Sequence, residues 1–177
     1  MNDDLRDLIR TVRDYPKPGI LFRDVTTLFG DPAGLARTIE LLALAVGDGM
    51  PTKVAGIEAR GFVLAGAVAV RVGAGFVPVR KKGKLPHTVI GRDYDLEYGT
   101  DRVEIHADAV APGEKVVVID DLVATGGTAL AAIELIEQAG AVVVCAAFIV
   151  DLPDLGGRQR IEARGTKTHA LVSFAGH

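Results

Sequence analysis

Thirteen consecutive residues constrain this chain more than any other stretch: Val116-Val117-Val118-Ile119-Asp120-Asp121-Leu122-Val123-Ala124-Thr125-Gly126-Gly127-Thr128. They read as an apolar strand, two carboxylates, a small-residue turn and the start of a helix. A strand with no polar alternation must be covered on both faces, which is the habit of parallel sheets flanked by helices. In open α/β sheets, ligands bind beyond the carboxyl ends of such strands. The helix that opens there presents free N–H groups and the positive end of its dipole. Gly126 and Gly127 permit close backbone approach, and Thr125 and Thr128 add hydroxyl donors. That set suits a phosphate monoester. Carboxylates repel phosphate, so Asp120 and Asp121 need other partners: sugar hydroxyls or a hydrated Mg²⁺. A phosphorylated sugar satisfies both halves.

The remaining patterns place this motif in a larger sheet. Leu5, Leu8, Ile9 and Val12 recur at helical spacing, which predicts a helix over 3–13. The prolines of Tyr15-Pro16-Lys17-Pro18-Gly19 stop it. Asp31-Pro32 is an N-cap followed by proline at the first helical position, opening a helix through Leu35, Ile39, Leu42 and Val46 that ends at Gly47 or Gly49. Strands are expected at Val54–Ile57, Phe76–Val79, around Val103 and Ile105, at Val116–Ile119, at Val142–Val150 and near Ala170–Phe174. Helices are expected over 62–71 and 127–139, with Gly140 just past the second. The Val103–Ile105 strand alternates with Glu104 and His106 and should be half-buried. Residues 80–101 lack periodicity, and a connection that long is functional or mobile. The alternation predicts an α/β fold with an open, mainly parallel sheet flanked by helices, in one domain spanning the 177 residues.

Composition narrows the partners. Twenty Lys+Arg against 23 Asp+Glu leave a net charge of −3, which argues against a nucleic-acid surface. Aromatic residues are 5% with no Trp, so the core is aliphatic. The single Cys145 sits in an apolar run, which excludes an intrachain disulfide and reads as a small buried hydrophobe. His87, His106, His169 and His177 show no metal spacing. An acidic N-terminus and the absence of a ~20-residue apolar stretch point to a cytoplasmic protein with no membrane partner. Walker, dinucleotide-binding and nucleophile-elbow motifs do not occur.

The 116–128 motif resembles the phosphoribosyl-pyrophosphate motif of the type I phosphoribosyltransferases. Four further stretches resemble the adenine-using family among them: Asp14–Asp24, Glu58-Ala59-Arg60-Gly61-Phe62, Pro78–Pro86 and Leu96-Glu97-Tyr98-Gly99-Thr100. The resemblance runs nearly end to end. It implies phosphoribosyl transfer to adenine, from 5-phospho-α-D-ribose 1-diphosphate (PRPP), giving AMP and diphosphate with Mg²⁺ as cofactor. It also implies a base-binding hood from about 1–30 and 151–160, a flexible catalytic loop over about 85–101, and a homodimer.

The same resemblance suggests roles. Asp120 and Asp121 would hold the ribose hydroxyls, partly through Mg²⁺, with no direct protein ligands to the metal otherwise. Ala124, Thr125, Gly126, Gly127 and Thr128 would hold the 5′-phosphate. Glu58, Ala59 and Arg60 correspond to the diphosphate loop, with a cis Glu58–Ala59 peptide and Arg60 as a catalytic fork for the leaving group. Arg80, Lys81 and Lys84 would add diphosphate contacts, Arg80 in the neighbouring subunit's site. Glu97 is the expected general acid/base at an adenine ring nitrogen, and Tyr98 a loop contact to the phosphoribosyl group. Leu21, Phe22, Arg23 and Leu152 would form the adenine slot. Backbone groups of Leu21 and Arg23 would read the base edge, and Phe22 and Leu152 would sandwich the ring. Two other readings share the fold: a phosphoribosyltransferase for hypoxanthine, xanthine or orotate, and a non-catalytic PRPP-sensing regulator. A bare oligomerisation module would leave Asp120-Asp121 unexplained.

Overall fold

The computed structural model describes residues 2–95 and 99–176. In chain order it contains α1 (Asp3–Asp7), β1 (Arg10–Arg13), β2 (Leu21–Asp24), α2 (Thr26–Gly30), α3 (Pro32–Gly47), β3 (Lys53–Ile57), α4 (Arg60–Val72), β4 (Gly75–Lys81), β5 (Val89–Asp95), β6 (Thr100–His106), β7 (Lys115–Val123), α5 (Gly127–Gln138), β8 (Val142–Asp151), α6 (Gly157–Glu162) and β9 (Lys167–Ser173). Seven strands form one sheet in the order β5-β6-β4-β3-β7-β8-β9, and β1 and β2 form a separate antiparallel pair. From β4 to β9 the neighbours run parallel, and β5 and β6 add an antiparallel edge.

Alternation along β7 builds the two layers. Val116 and Val118 enter one buried cluster with Ala132, Ile133 and Ile136 of α5. Val117 and Ile119 enter the other with Leu64 and Val68 of α4 and Leu42 and Val46 of α3. All four β7 side chains have no exposed surface. Each such burial stabilises by roughly 1.5–3 kcal/mol relative to exposure. The expected α/β sheet flanked by helices is therefore the observed one. Asp31 caps α3 as predicted, its carboxylate accepting from the Gly34 N–H at 2.7 Å. The Cys145 thiol is buried in the second cluster, and burial pushes it up to about 11.

Three expectations need correction. The predicted helix over 3–13 stops at Asp7, and residues 10–13 form β1. Val12 fits the helical spacing, but it pairs across the hairpin with Phe22, and Thr11 pairs with Arg23. A cross-strand ladder outweighs a two-turn periodic signal here. Residues 89–95 are not an irregular connection but the strand β5, paired with β6 from Val89↔His106 to Asp95↔Thr100. Its charged positions hid it: Arg92 is neutralised by Glu134 of α5, and Tyr94 is buried. The expected half-buried β6 also buries Glu104, which accepts from the Gly83 N–H at 2.9 Å and pairs with Arg102.

Candidate active site

Strands β3, β7 and β8 run parallel, so the segments that leave their carboxyl ends lie at the same end of the sheet. These segments are Glu58-Ala59-Arg60, Ala124–Gly126 and the stretch after Asp151. Arg60 and residues Asp120 through Ala129 line a cavity of about 210 Å³. All the predicted phosphate-cradle residues are among them.

The turn before α5 is braced from behind. Gly126 has φ +81°, and a Cβ on it would stand 2.9 Å from the Gly157 carbonyl oxygen. The Gly157 N–H donates to the Ala124 carbonyl at 2.9 Å. The Arg160 guanidinium donates to the Thr125 carbonyl at 2.8 Å. These bonds occupy carbonyls, so the free N–H groups at the start of α5 remain for a ligand. Gly157 and Arg160 were not among the expected site residues. No local pattern marks them, because they act through a turn more than thirty residues earlier.

The acid pair is held just as closely. Asp121 is 4% exposed and accepts from the Arg60 Nε. The Asp121 N–H donates to Asp120 Oδ1 at 2.9 Å. Burial, then the neighbouring Asp121 carboxylate, pushes the Asp120 carboxyl well above the usual range. Burial opposes the charge on Arg60, but its hydrogen bond to Asp121 and the surrounding acids outweigh that and raise its pKa. Gly61 follows Arg60 for a steric reason: a Cβ there would stand 2.8 Å from the Ile119 carbonyl and 2.9 Å from Asp120 Oδ1.

An apolar slot of about 230 Å³ adjoins the cradle, lined by Ile20, Leu21, Phe22, Arg23, Arg60, Leu122, Ala124, Leu152 and Leu155. It brings together the four residues expected around the base. Leu122 and Leu155 were missed, although Leu122 lies inside the defining thirteen residues. Arg60 also reaches a third cavity of about 330 Å³ with Val12, Tyr15, Phe22, Asp24 and Thr26. Hydrogen bonds from Thr26 and Arg10 hold the Asp24 carboxyl down at about 2.

The basic run is placed differently. Arg80, Lys81 and Lys84 line none of these three cavities. Arg80 donates Nε and Nη2 to the Glu58 carboxylate, each at 3.2 Å. Those bonds, chiefly from Arg80, hold Glu58 below the usual carboxylate range. Lys81 Nζ contacts Tyr94 Oη and the Asp101 carboxylate. The Glu58–Ala59 peptide is cis, as expected. Glu97 and Tyr98 lie outside the described residues. Among the described residues no cluster of His, Cys, Asp and Glu is arranged to ligate a metal, and no helix is long and apolar enough to cross a membrane.

The phosphoribosyl transferase domain matches residues 24–171. An adenine phosphoribosyltransferase from Rhodopseudomonas palustris (strain BisB5) is 58% identical over 174 residues, 98% of this chain and 96% of the relative. The crystal structure of adenine phosphoribosyltransferase from Rhodothermus marinus superposes with a TM-score of 0.91 at 48% identity, covering 97% of both chains. That of the Saccharomyces cerevisiae enzyme, complexed with an imino-altritol bisphosphate and adenine, superposes with a TM-score of 0.90 at 34% identity, covering 96% of this chain and 97% of the yeast one. A phosphate cradle with an apolar slot beside it, on a sheet shared with such relatives over nearly its whole length, leaves one assignment: the chain belongs to the adenine phosphoribosyltransferase family of type I phosphoribosyltransferases.

Proposed function

We propose that the chain transfers the phosphoribosyl group of PRPP to adenine in purine salvage, releasing AMP and diphosphate, with the site residues acting as follows. The observation that carries this reading is adjacency. The cradle and the apolar slot share Arg60, Leu122 and Ala124, so a ribose 5-phosphate in one presents its anomeric carbon to a flat base in the other.

The bond from the anomeric carbon to the diphosphate oxygen breaks, and a bond to an adenine ring nitrogen forms as that nitrogen loses its proton. The N–H groups from Ala124 to Thr128 hold the 5′-phosphate and fix the ribose. Asp120 and Asp121 accept from the ribose hydroxyls. Arg60, already raised in pKa and poised between cradle and slot, neutralises charge that develops on the leaving diphosphate. Lys81, and Arg80 in the neighbouring subunit's site, join it by exchanging Asp101 and Glu58 for the diphosphate oxygens, and Lys84 adds a further contact. Glu58 and Ala59 shape that loop; because the Glu58 carboxylate repels phosphate, it acts by holding Arg80 in reserve. Phe22 and Leu152 sandwich the base, and backbone groups of Leu21 and Arg23 read its edge. Glu97 takes the ring-nitrogen proton, and Tyr98 packs against the phosphoribosyl group.

The hard oxygens of Asp120 and Asp121 fit a hydrated Mg²⁺, without histidine or thiol competitors at the cavity wall. When bound, Mg²⁺ neutralises diphosphate charge. We further infer a homodimer. α4 exposes Val63 and Val70 (50% and 84%), and Phe76 of β4, edge-on to Phe62 of α4 at 5.7 Å, is 40% exposed; a second copy would cover these apolar side chains. Phosphorylated substrates do not cross membranes, so the enzyme works in the cytoplasm.

The test is AMP formation from PRPP and adenine, set against hypoxanthine, xanthine and orotate. Turnover with adenine is expected to dominate, and greater turnover with hypoxanthine would overturn the base assignment. Glu97→Gln should lower kcat far more than adenine affinity; a near-wild-type kcat removes Glu97 from the mechanism.

A further inference from the structure

Phe174, Ala175 and Gly176 follow the last strand and have no part in the chemistry above. They nevertheless bond to Arg23 in one wall of the base slot and to Asp151 and Asp154 beside the other, without lining the slot themselves. The Phe174 N–H donates to the Asp151 carbonyl at 3.1 Å, one residue before Leu152. The Leu152 N–H in turn donates to the Val123 carbonyl at the end of β7. Gly176 N–H donates to the Asp154 carboxylate at 2.7 Å. This strip is therefore tied to the sheet-side wall.

Its other contacts reach the hood. The Arg23 guanidinium lies 4.5 Å from the Phe174 ring centroid, and that of Arg6 lies 5.0 Å from it. Arg23 Nη2 donates to the Ala175 carbonyl at 3.1 Å, and Nη1 donates to Thr11 Oγ1 at 2.6 Å. Arg23 is only 8% exposed, and its contacts among the described residues include no carboxylate. Burial, then Arg6, lowers its pKa. A buried cation without an acid is costly, so the ring quadrupole and two neutral oxygens must supply what water would. A residue held this way is well placed for orienting backbone: Arg23 is in β2, whose residues 21–23 line the slot.

We propose that the Phe174–Gly176 strip, acting through Arg23, is a positioning strap that sets the separation of the hood wall from the Leu152 wall and so tunes affinity for the base. The strap touches neither the reacting atoms nor the phosphate cradle. Its effect should fall on one substrate only.

This rests on the base-slot reading above, and the experiment separates the two. Steady-state kinetics would compare wild type with Phe174→Leu, Arg23→Lys and Asp154→Ala. Phe174→Leu removes the ring quadrupole. Arg23→Lys keeps the charge but cannot reach Thr11 and Ala175 together. Asp154→Ala frees the end of the strap from an exposed position and guards against misfolding of the first two. KM for adenine is expected to rise about tenfold in Phe174→Leu and Arg23→Lys, and less in Asp154→Ala. KM for PRPP should stay within twofold. Preference for adenine over hypoxanthine should fall as the edge-reading backbone loosens. If wild type itself does not use adenine, the base-slot reading fails. If wild type is active and the adenine KM is unmoved, or both KM values rise together with a lower Tm, the strap is merely structural and the proposal is overturned.

Discussion

The turn Ala124–Thr128 and the arm spanning β4 to β6 carry their charge in opposite ways. The turn has almost no charged side chains. Its donors are backbone N–H groups fixed by a left-handed Gly126 and braced by Gly157 and Arg160. The arm is dense in cations, and each described pair is matched to a nearby acid: Arg80 to Glu58, Lys81 to Asp101, Arg92 to Glu134, Arg102 to Asp93 and Glu104. Partly exposed pairs of this kind contribute only about 0.2–1 kcal/mol each. Under the proposed function a diphosphate would compete for their cations at little cost, whereas the turn is held by hydrogen bonds already made. One region is set by backbone conformation and hydrogen bonds, and the other holds charge that the proposed mechanism would reassign.

That contrast can be broken at several points. The largest effect should come from Gly157→Ala. The added methyl would run into the Ala124 carbonyl and the Gly126 N–H, displacing the turn. A loss of the order of 100-fold in kcat/KM for PRPP is expected, in line with losing about 3 kcal/mol of fixed hydrogen bonding. A loss below threefold would show that the turn is more pliable than its bracing implies.

Next in size is Lys81→Met, which tests reassignment. It removes one cation from the arm, so KM for PRPP should rise about tenfold, the factor that corresponds to ~1.4 kcal/mol. The increase should shrink at high salt, because the lost interaction is a screened one. No change in KM would confine Lys81 to holding Tyr94 and Asp101.

The third test uses pH. Asp120 has a raised folded pKa, so its ionised form destabilises the protein as pH climbs above the unfolded value of about 3.9. Asp101 has a lowered one, chiefly through Lys81, so its contribution is present above the unfolded value and disappears only as pH falls through the folded one. Asp120→Asn should then raise Tm at pH 7 by a few degrees, on the scale of ~1 kcal/mol, and the gain should fade toward pH 4. Asp101→Asn should lower Tm slightly at pH 7. Thermal melts showing shifts of the same sign would remove the distinction between the two regions.

The smallest effect belongs to Arg92→Ala. It severs one exposed pair with Glu134, which still has Arg164. Less than about 1 kcal/mol should be lost in chemical denaturation. A larger loss would mean that Arg92 fixes β5 to α5 and is not part of the exchangeable charge.

The same two regions differ in how they could be read. The structure of 116–128 was legible because its strand, acids, turn and helix are contiguous, and each choice follows from local physics. Asp31-Pro32 and the α3 start were legible for the same reason. The arm was not, because β5 is an edge strand whose described charged residues find partners on α5 and β6 rather than within their own strand. Val12 was misread because its helical spacing was real, yet its pairing with Phe22 is set ten residues away. Of the slot, Leu21, Phe22, Arg23 and Leu152 were anticipated through resemblance, while Leu122 and Leu155 emerged only when β7 and the segment after β8 were brought side by side.

By itself the sequence determined the sheet class and the strand, turn and helix start over 116–128 that line the first cavity. Hydrophobic runs, glycines and caps act over a few residues, so they can be read in order along the chain. Tertiary structure alone decided which cations stay paired, why Gly126 and Gly61 cannot carry a side chain, and how the Phe174 strip meets Arg23. Those depend on distances between segments far apart in the chain, and such distances exist only once the core has closed.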